Sequence, residues 1–307
     1  METVESNEMK QKYVDILSLG GFNAIFGDEN NKAQVMTIIN ELLPGHRKVV
    51  EIDFMSTEQY GPLIGYSKDF RYDFRCRDAS GVVFIVELQK YYEKAWFKRC
   101  VSYASRAYDR QNRSGEDYDV PPVYLIGLMG VPIEHPDKEY WKDKYISEYT
   151  FREKDSHDLL DETIVIIFAE LTKFDKSEDE CQTRQDRMLY LLKNSGKLRV
   201  PPAWSEQENY TDLLNACHIE DFSEDKRNKY DSDMYDEKRR KGEMMAAIEM
   251  GMAKGLAAGR EEGREEGREE GVNMARKEDA RRFKELGVDV AIIAQATGLS
   301  VEEIAKL

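Results

Sequence analysis

The sequence predicts an α/β fold, a mixed β-sheet flanked by helices and followed by a helical C-terminal extension. Three observations carry this prediction. VYLIGLMG (123–130) is a fully apolar run, which suits an interior strand covered on both sides. RYDFRCRDASGVVFIVELQK (71–90) reads as two strands joined by a tight turn, and helix-period stretches interleave with such strands over the first 200 residues. With 307 residues, 41% hydrophobic and 34% charged, the chain is long enough for one core of about 200 residues plus appendages.

Taken in order, residues 13–19 and 31–43 read as helices, the second with Val35, Ile38, Ile39, Leu42 and Leu43 on one face and Pro44-Gly45 as its stop. FNAIFG (22–27), between them, reads as core packing, and residues 48–55 read as a strand. From Arg71 to Arg77 an apolar face (Tyr72, Phe74, Cys76) alternates with a polar one (Arg71, Asp73, Arg75, Arg77), as in a half-buried strand. Asp78-Ala79-Ser80-Gly81 has the chemistry of a three-residue hairpin loop, with Asp opening the turn and Gly81 supplying the left-handed residue. In that register Asp78 faces Val82 and Asp73 faces Glu87. Val82–Leu88 is apolar except for Glu87, and Gln89 shares its face because side chains alternate along a strand.

A carboxylate among Val, Phe, Ile and Leu loses several kcal/mol of hydration unless a cation or strong donors replace the water. Two carboxylates and an amide oxygen converging from adjacent strands make an oxygen-rich site suited to Mg²⁺ or Mn²⁺. The alternative is a structural carboxylate pair answered by Arg75 or Lys90. A slip of one residue in the register would send Asp73 and Glu87 to opposite faces and remove the site.

Residues 93–112 read as a helix with an apolar stripe of Phe97, Cys100, Val101, Ala104 and Tyr108. A second stripe, Arg99, Tyr103, Arg106 and Arg110, forms a separate face. The stretch from Tyr91 to Arg113 carries six Lys or Arg against Glu93 and Asp109, a basic island in a chain of net charge −15. Such a charge argues against indiscriminate binding of polyanions, so any nucleic-acid contact must be local. Arginines with an interleaved tyrosine suit phosphate contacts and stacking; the other reading is a solvated helix face. Residues 145–151 and 163–171 supply two more strands, and 180–193 another amphipathic helix.

Pro201-Pro202 marks a break, followed by short helices near 205–217 and a charged linker, DFSEDKRNKYDSD (221–233). From Met234 the chain is helix-prone. GREEGREEGREEG (259–271) is a four-residue repeat, either a helix whose glycine row packs closely on a second helix or a flexible tether. At the end, Gly287 stops one helix, Asp289 caps the next, Gly298 stops that, and Ser300 with Glu303 forms a capping box. The final helix is short and lacks Arg, which favours packing or assembly, including a homodimer through the C-terminal helices, over base reading. The expected division is therefore a core over 1–200, a helical linker region over 201–233, the repeat segment over 234–274 and a small helix-turn-helix-like hairpin over 275–307.

Asp73, then a turn, then Glu87-x-Gln89 at the end of an apolar strand resembles the core motif of the PD-(D/E)XK nuclease superfamily. The likeness is closest to its branch of recombination-promoting nucleases and transposases of mobile elements, where Gln commonly stands in the usual Lys position. It extends to FNAIFG, NELLP (40–44), Glu58 with Gly61, and Arg99 through Gly115, so it covers roughly the first 130 residues. The resemblance implies a restriction-endonuclease-like α/β fold and a Mg²⁺- or Mn²⁺-dependent DNA endonuclease. Asp73 and Glu87 would hold the metal, Gln89 would complete the catalytic set, and Glu58 would be an additional acid. Arg99, Tyr103, Arg106 and Arg110 would meet the DNA. Gln89 lacks the positive charge of Lys, which keeps open a non-catalytic DNA-binding or assembly protein; an RNA nuclease would use the same metal chemistry.

No run approaches the ~18 apolar residues of a membrane span and the N-terminal stretch has no apolar signal region, so a cytoplasmic protein is the expectation. Cys76, Cys100, Cys181 and Cys217 are scattered without CxxC spacing, which indicates neither a zinc site nor a disulfide framework.

Overall fold

The apolar strands assemble into a mixed sheet, and the hairpin at Asp78–Gly81 sets the register on which the site depends. The computed structural model describes residues 11–43, 45, 47–59, 70–112, 117, 119–207 and 210–307. Pro44, Gly61, Arg113 and Gly115 of the sequence reading lie outside them. The strands are β1 (Ile52–Phe54), β2 (Glu58–Gln59), β3 (Phe70–Arg71), β4 (Phe74–Asp78), β5 (Val83–Gln89), β6 (Val123–Met129), β7 (Ile146–Arg152) and β8 (Leu159–Glu170). The helices are α1 (Leu19–Phe26), α2 (Lys32–Leu42), α3 (Trp96–Asp109), α4 (Arg184–Asn194), α5 (Thr211–Cys217), α6 (Glu224–Glu285), α7 (Val290–Thr297) and α8 (Val301–Ala305).

The main sheet has the order β1-β4-β5-β6-β8-β7. Its centre, β5-β6-β8, is parallel, and antiparallel pairs flank it. β5 and β6 run apolar because both faces are covered. Phe84, Val86, Tyr124, Ile126 and Leu128 join the core built with α1, α2, α4 and α5, whereas Val83, Ile85, Val123 and Leu125 pack with α3. This is the mixed α/β architecture expected from the sequence, consistent with a restriction-endonuclease-like fold.

Three local differences have physical causes. Residues 13–18 are not helical: Tyr13 bridges to His218, and Ser18 caps α1 by accepting from the Gly21 amide, so FNAI begins inside a helix whose Phe22, Ile25 and Phe26 are buried. A Cβ at Gly21 would lie 1.9 Å from the Asp15 carbonyl oxygen, so this close return of the chain requires glycine. The segment expected as a charged linker is helical from Glu224. Tyr230 there is buried and Met234 packs on the same core. In α3 the buried positions are Trp96, Cys100, Ala104 and Ala107, while Phe97 and Val101 are exposed. Small side chains at 100, 104 and 107 let the helix approach the sheet, which turns its inner face away from the larger pair.

The described residues form two compact units, one ending at Glu237 and one spanning Lys238–Leu307. The second has a small core of Ala280, Ile293, Leu299 and Ile304. Its hairpin is capped as expected: Asp289 accepts from the Ala291 amide, Gly287 and Gly298 take φ of 73° and 71°, and Ser300 with Glu303 closes a capping box. The glycine repeat is helical, within α6.

Candidate active site

Gly81 at φ 88° and an Asp78 carboxylate that accepts from Ser80 and Val82 hold the turn in one geometry. Asp78 therefore pairs with Val82, and the ladder runs Arg77↔Val83 to Phe74↔Val86, so the next step sets Asp73 abreast of Glu87. The chain bends at Asp73 instead of continuing as strand. The bend carries Tyr72 to the α3 side, where its ring meets Tyr103, apart from Phe74 and Cys76 on the other face. Each carboxylate is held by the other's strand: Glu87 Oε1 accepts from the Asp73 amide at 3.1 Å, and Asp73 Oδ2 accepts from the Leu88 amide at 2.9 Å.

The electrostatics of this pair are unbalanced. Glu87 is 2% exposed, and burial, then the neighbouring Asp73 charge, push its pKa up to about 9. Asp73 sits at the lip of the site, exposed as a residue, yet protein packed around its carboxyl raises its pKa as well. Among the described residues no Lys or Arg forms an ion pair with either carboxylate. Of the cations the sequence offers, Arg75 donates to the Ser56 carbonyl and lies over Tyr72, and Lys90 pairs with Glu237.

Arg99 is the cation that favours the charged form of both Asp73 and Glu87. It approaches them from α3. Its guanidinium lies 4.7 Å from the Trp96 ring centre and 5.8 Å from that of Tyr103, pairs with Glu93 at 2.6 Å, and donates to Gln89 Oε1 at 3.3 Å. Gln89 is buried, and its amide nitrogen donates to the Tyr91 carbonyl. Gln89 thus holds a neighbouring guanidinium and carries no charge of its own.

The rest of the basic stripe lines the same side. Arg106 lies 4.9 Å over the Phe70 ring, and the Tyr103 hydroxyl donates to the Arg71 carbonyl. Arg110 follows the last turn of α3 and is exposed. Glu58 is on the separate two-stranded sheet, abreast of Arg71 with 3.5 Å between their charged groups.

Trp96 and Gly127 escaped the sequence reading, and Glu93 entered it only as an acid of the basic stretch, not as a residue of the site. Gly127 is abreast of Glu87 on β6, and a Cβ there would lie 2.7 Å from Phe168 and 3.4 Å from Trp96. A lone glycine in an apolar strand is the signal that marks such an approach. Gly127→Ala should destabilise the protein by about 1–3 kcal/mol through overpacking. Urea unfolding checks this; unchanged stability would mean that Phe168 yields freely.

A buried Glu at the end of a central strand, an Asp across a hairpin and a Gln two residues on place the chain among known proteins. A family model described as PD-(D/E)XK nuclease family transposase matches residues 20–245. The chain belongs to that family. No curated protein and no solved structure matches it. In this PD-(D/E)XK chain the donor set fits a hard divalent cation. No group of three or more His, Cys, Asp or Glu is poised for a metal among the described residues, but two carboxylates suffice for Mg²⁺, which keeps waters and takes phosphate oxygens. Among the described residues no helix is long and apolar enough to cross a membrane.

Proposed function

We propose that the protein is a metal-dependent DNA endonuclease that hydrolyses phosphodiester bonds. The observation that carries this reading is the Asp73–Glu87 pair, two converging carboxylates that no ion pair answers among the described residues. Asp73 and Glu87 would hold Mg²⁺ or Mn²⁺. When bound, the ion supplies Lewis acidity toward the phosphodiester and lowers the pKa of the attacking water. Arg99, stacked between two rings, opposes charge developing on the phosphate, and Gln89 and Glu93 orient its guanidinium. Arg106 and Arg110 neutralise phosphates further along α3. Glu58 is an additional acid in this reading, on the strand paired with β3, which leads into Asp73.

A second reading, a DNA-binding scaffold without catalysis, draws on Gln89 and on the Arg99–Glu93 pair, which spends part of the local positive charge. The deciding experiment incubates the purified protein with supercoiled and linear DNA, and with RNA, in Mg²⁺, Mn²⁺ or EDTA. Metal-dependent nicking that disappears in Glu87→Ala supports the endonuclease. Tight binding without cleavage in any metal supports the scaffold, and cleavage of RNA alone moves the substrate.

We further assign the C-terminal helices to homodimerisation, so that two sites can address two strands. Met244, Met245, Ile248, Met252 and Leu256 of α6 are exposed at helical spacing. Residues to Glu237 must stay in any truncation, since Glu237 accepts from the Leu19 amide and pairs with Lys90. Deleting Lys238–Leu307 should leave a folded core that nicks one strand but no longer dimerises or makes double-strand breaks. Light scattering that finds both forms monomeric, with equal activity, removes this assignment.

A further inference from the structure

A second polar site lies on the same sheet face as the carboxylate pair. Gln89, Met129 and Glu170 are abreast on β5, β6 and β8, all at the carboxyl ends of parallel strands. Two strand spacings put Glu170 about 10 Å from Gln89. Glu170 is 1% exposed, and its Oε1 lies 2.8 Å from His135 Nε2. A buried carboxylate that fixes an imidazole ring defines that ring's orientation. The ring stacks on Trp141, 4.2 Å between centres and 14° from parallel. The two rings, with Glu134, Lys138 and Lys173, line an open cavity of about 630 Å³. That size falls within the roughly 300–1,000 Å³ of small-ligand sites.

We propose that this cavity receives an unstacked nucleobase from a single-stranded DNA segment leaving the Asp73–Glu87 site, which rests on the endonuclease reading above. The chemistry matches a nucleotide part by part. The imidazole backs one face of the Trp141 indole, and the indole is the ring on which a base of any sequence would stack. The Glu134 carboxylate accepts from exocyclic amino groups. Lys138 is exposed beside them, and Lys173, whose Nζ donates to the Lys144 carbonyl, lies 5.9 Å from the Trp141 ring centre, so phosphate has cations on the same rim. An intact duplex keeps its bases stacked and offers none to the cavity, so the substrate class is DNA with a single-stranded overhang or flap.

The test uses the full chain in EDTA, which prevents cleavage, with labelled blunt duplex, the same duplex with a DNA overhang, and one with an RNA overhang. Overhang positions carry 2-aminopurine in turn. The wild type should bind the DNA overhang about tenfold more tightly than the blunt end, and 2-aminopurine emission should change at one position. Trp141→Ala should remove both effects and leave blunt-end affinity unchanged, while Trp141→Phe retains most of the preference. Lys138→Glu, at an exposed position that leaves the fold intact, should reduce the overhang preference several-fold even if Trp141→Ala fails to fold. Equal binding of blunt and overhang DNA by the wild type, or a preference that survives Trp141→Ala, overturns the inference and leaves the endonuclease reading standing. Tighter binding of the RNA overhang overturns the DNA assignment, and absence of binding to every probe removes both readings.

Discussion

Glu87→Gln should abolish metal-dependent DNA cleavage while making the metal-free protein more stable. The loss of activity follows from the donor set: an amide cannot supply the anionic ligand, and losing several kcal/mol of charge stabilisation corresponds to about 10³-fold or more in rate. The gain in stability follows from burial. Glu87 is 2% exposed, beside Asp73, and its pKa is pushed up to about 9. A group whose folded-state pKa exceeds its unfolded value contributes fully below the unfolded value and loses that contribution as pH rises through the folded one. In EDTA the wild type should therefore lose stability between about pH 4.5 and about pH 9, and Glu87→Gln should lack that decline. At pH 8 the variant should be more stable by about 1–3 kcal/mol, since folding no longer has to protonate a carboxyl that is ionised in the unfolded chain, and the amide oxygen can still accept from the Asp73 amide. Nicking assays and urea unfolding across pH measure the two halves. A variant that still cleaves excludes Glu87 from catalysis, and one that is less stable at pH 8 makes the pair structural.

Arg99→Ala should lower the cleavage rate by about 10²–10³-fold, the cost of removing one donor aimed at developing charge. Arg99→Lys should recover little. A planar guanidinium stacks on Trp96 and Tyr103 and engages Glu93 and Gln89 together, whereas an ammonium is a compact point charge. Arg106→Ala and Arg110→Ala should act differently, each lowering DNA affinity and the salt slope by roughly 0.9 without a comparable loss of maximal rate. Single-turnover rates at saturating DNA, beside salt titrations of binding, separate these roles. If all three variants change affinity alone, Arg99 contacts the backbone like its neighbours and transition-state charge is met elsewhere.

Local chemistry determined much of the site. Asp78 and Gly81 specify one hairpin, a hairpin specifies one register, and register determines that Asp73 meets Glu87. A lone carboxylate in an apolar strand, and Gln89 on its face, were therefore legible as a pair of facts about one location. The strands at 123–129 and 146–152, the helices at 32–42 and 184–194, and the caps of the C-terminal hairpin were legible for the same reason: each depends on neighbours a few residues away.

What sequence alone left open depends on contacts distant along the chain. Whether Arg75, Lys90 or Arg99 stands by the carboxylates is decided by partners such as Ser56 and Glu237, and by the rotation of α3 that Cys100, Ala104 and Ala107 permit. His135 meets Glu170 across 35 positions, and nothing near either residue announces the other. Turns and periodicities are properties of a short stretch of backbone, so the chain states them locally. The identity of a buried charge's counterpart is a property of packing, since only the folded core determines which polar groups lose water together.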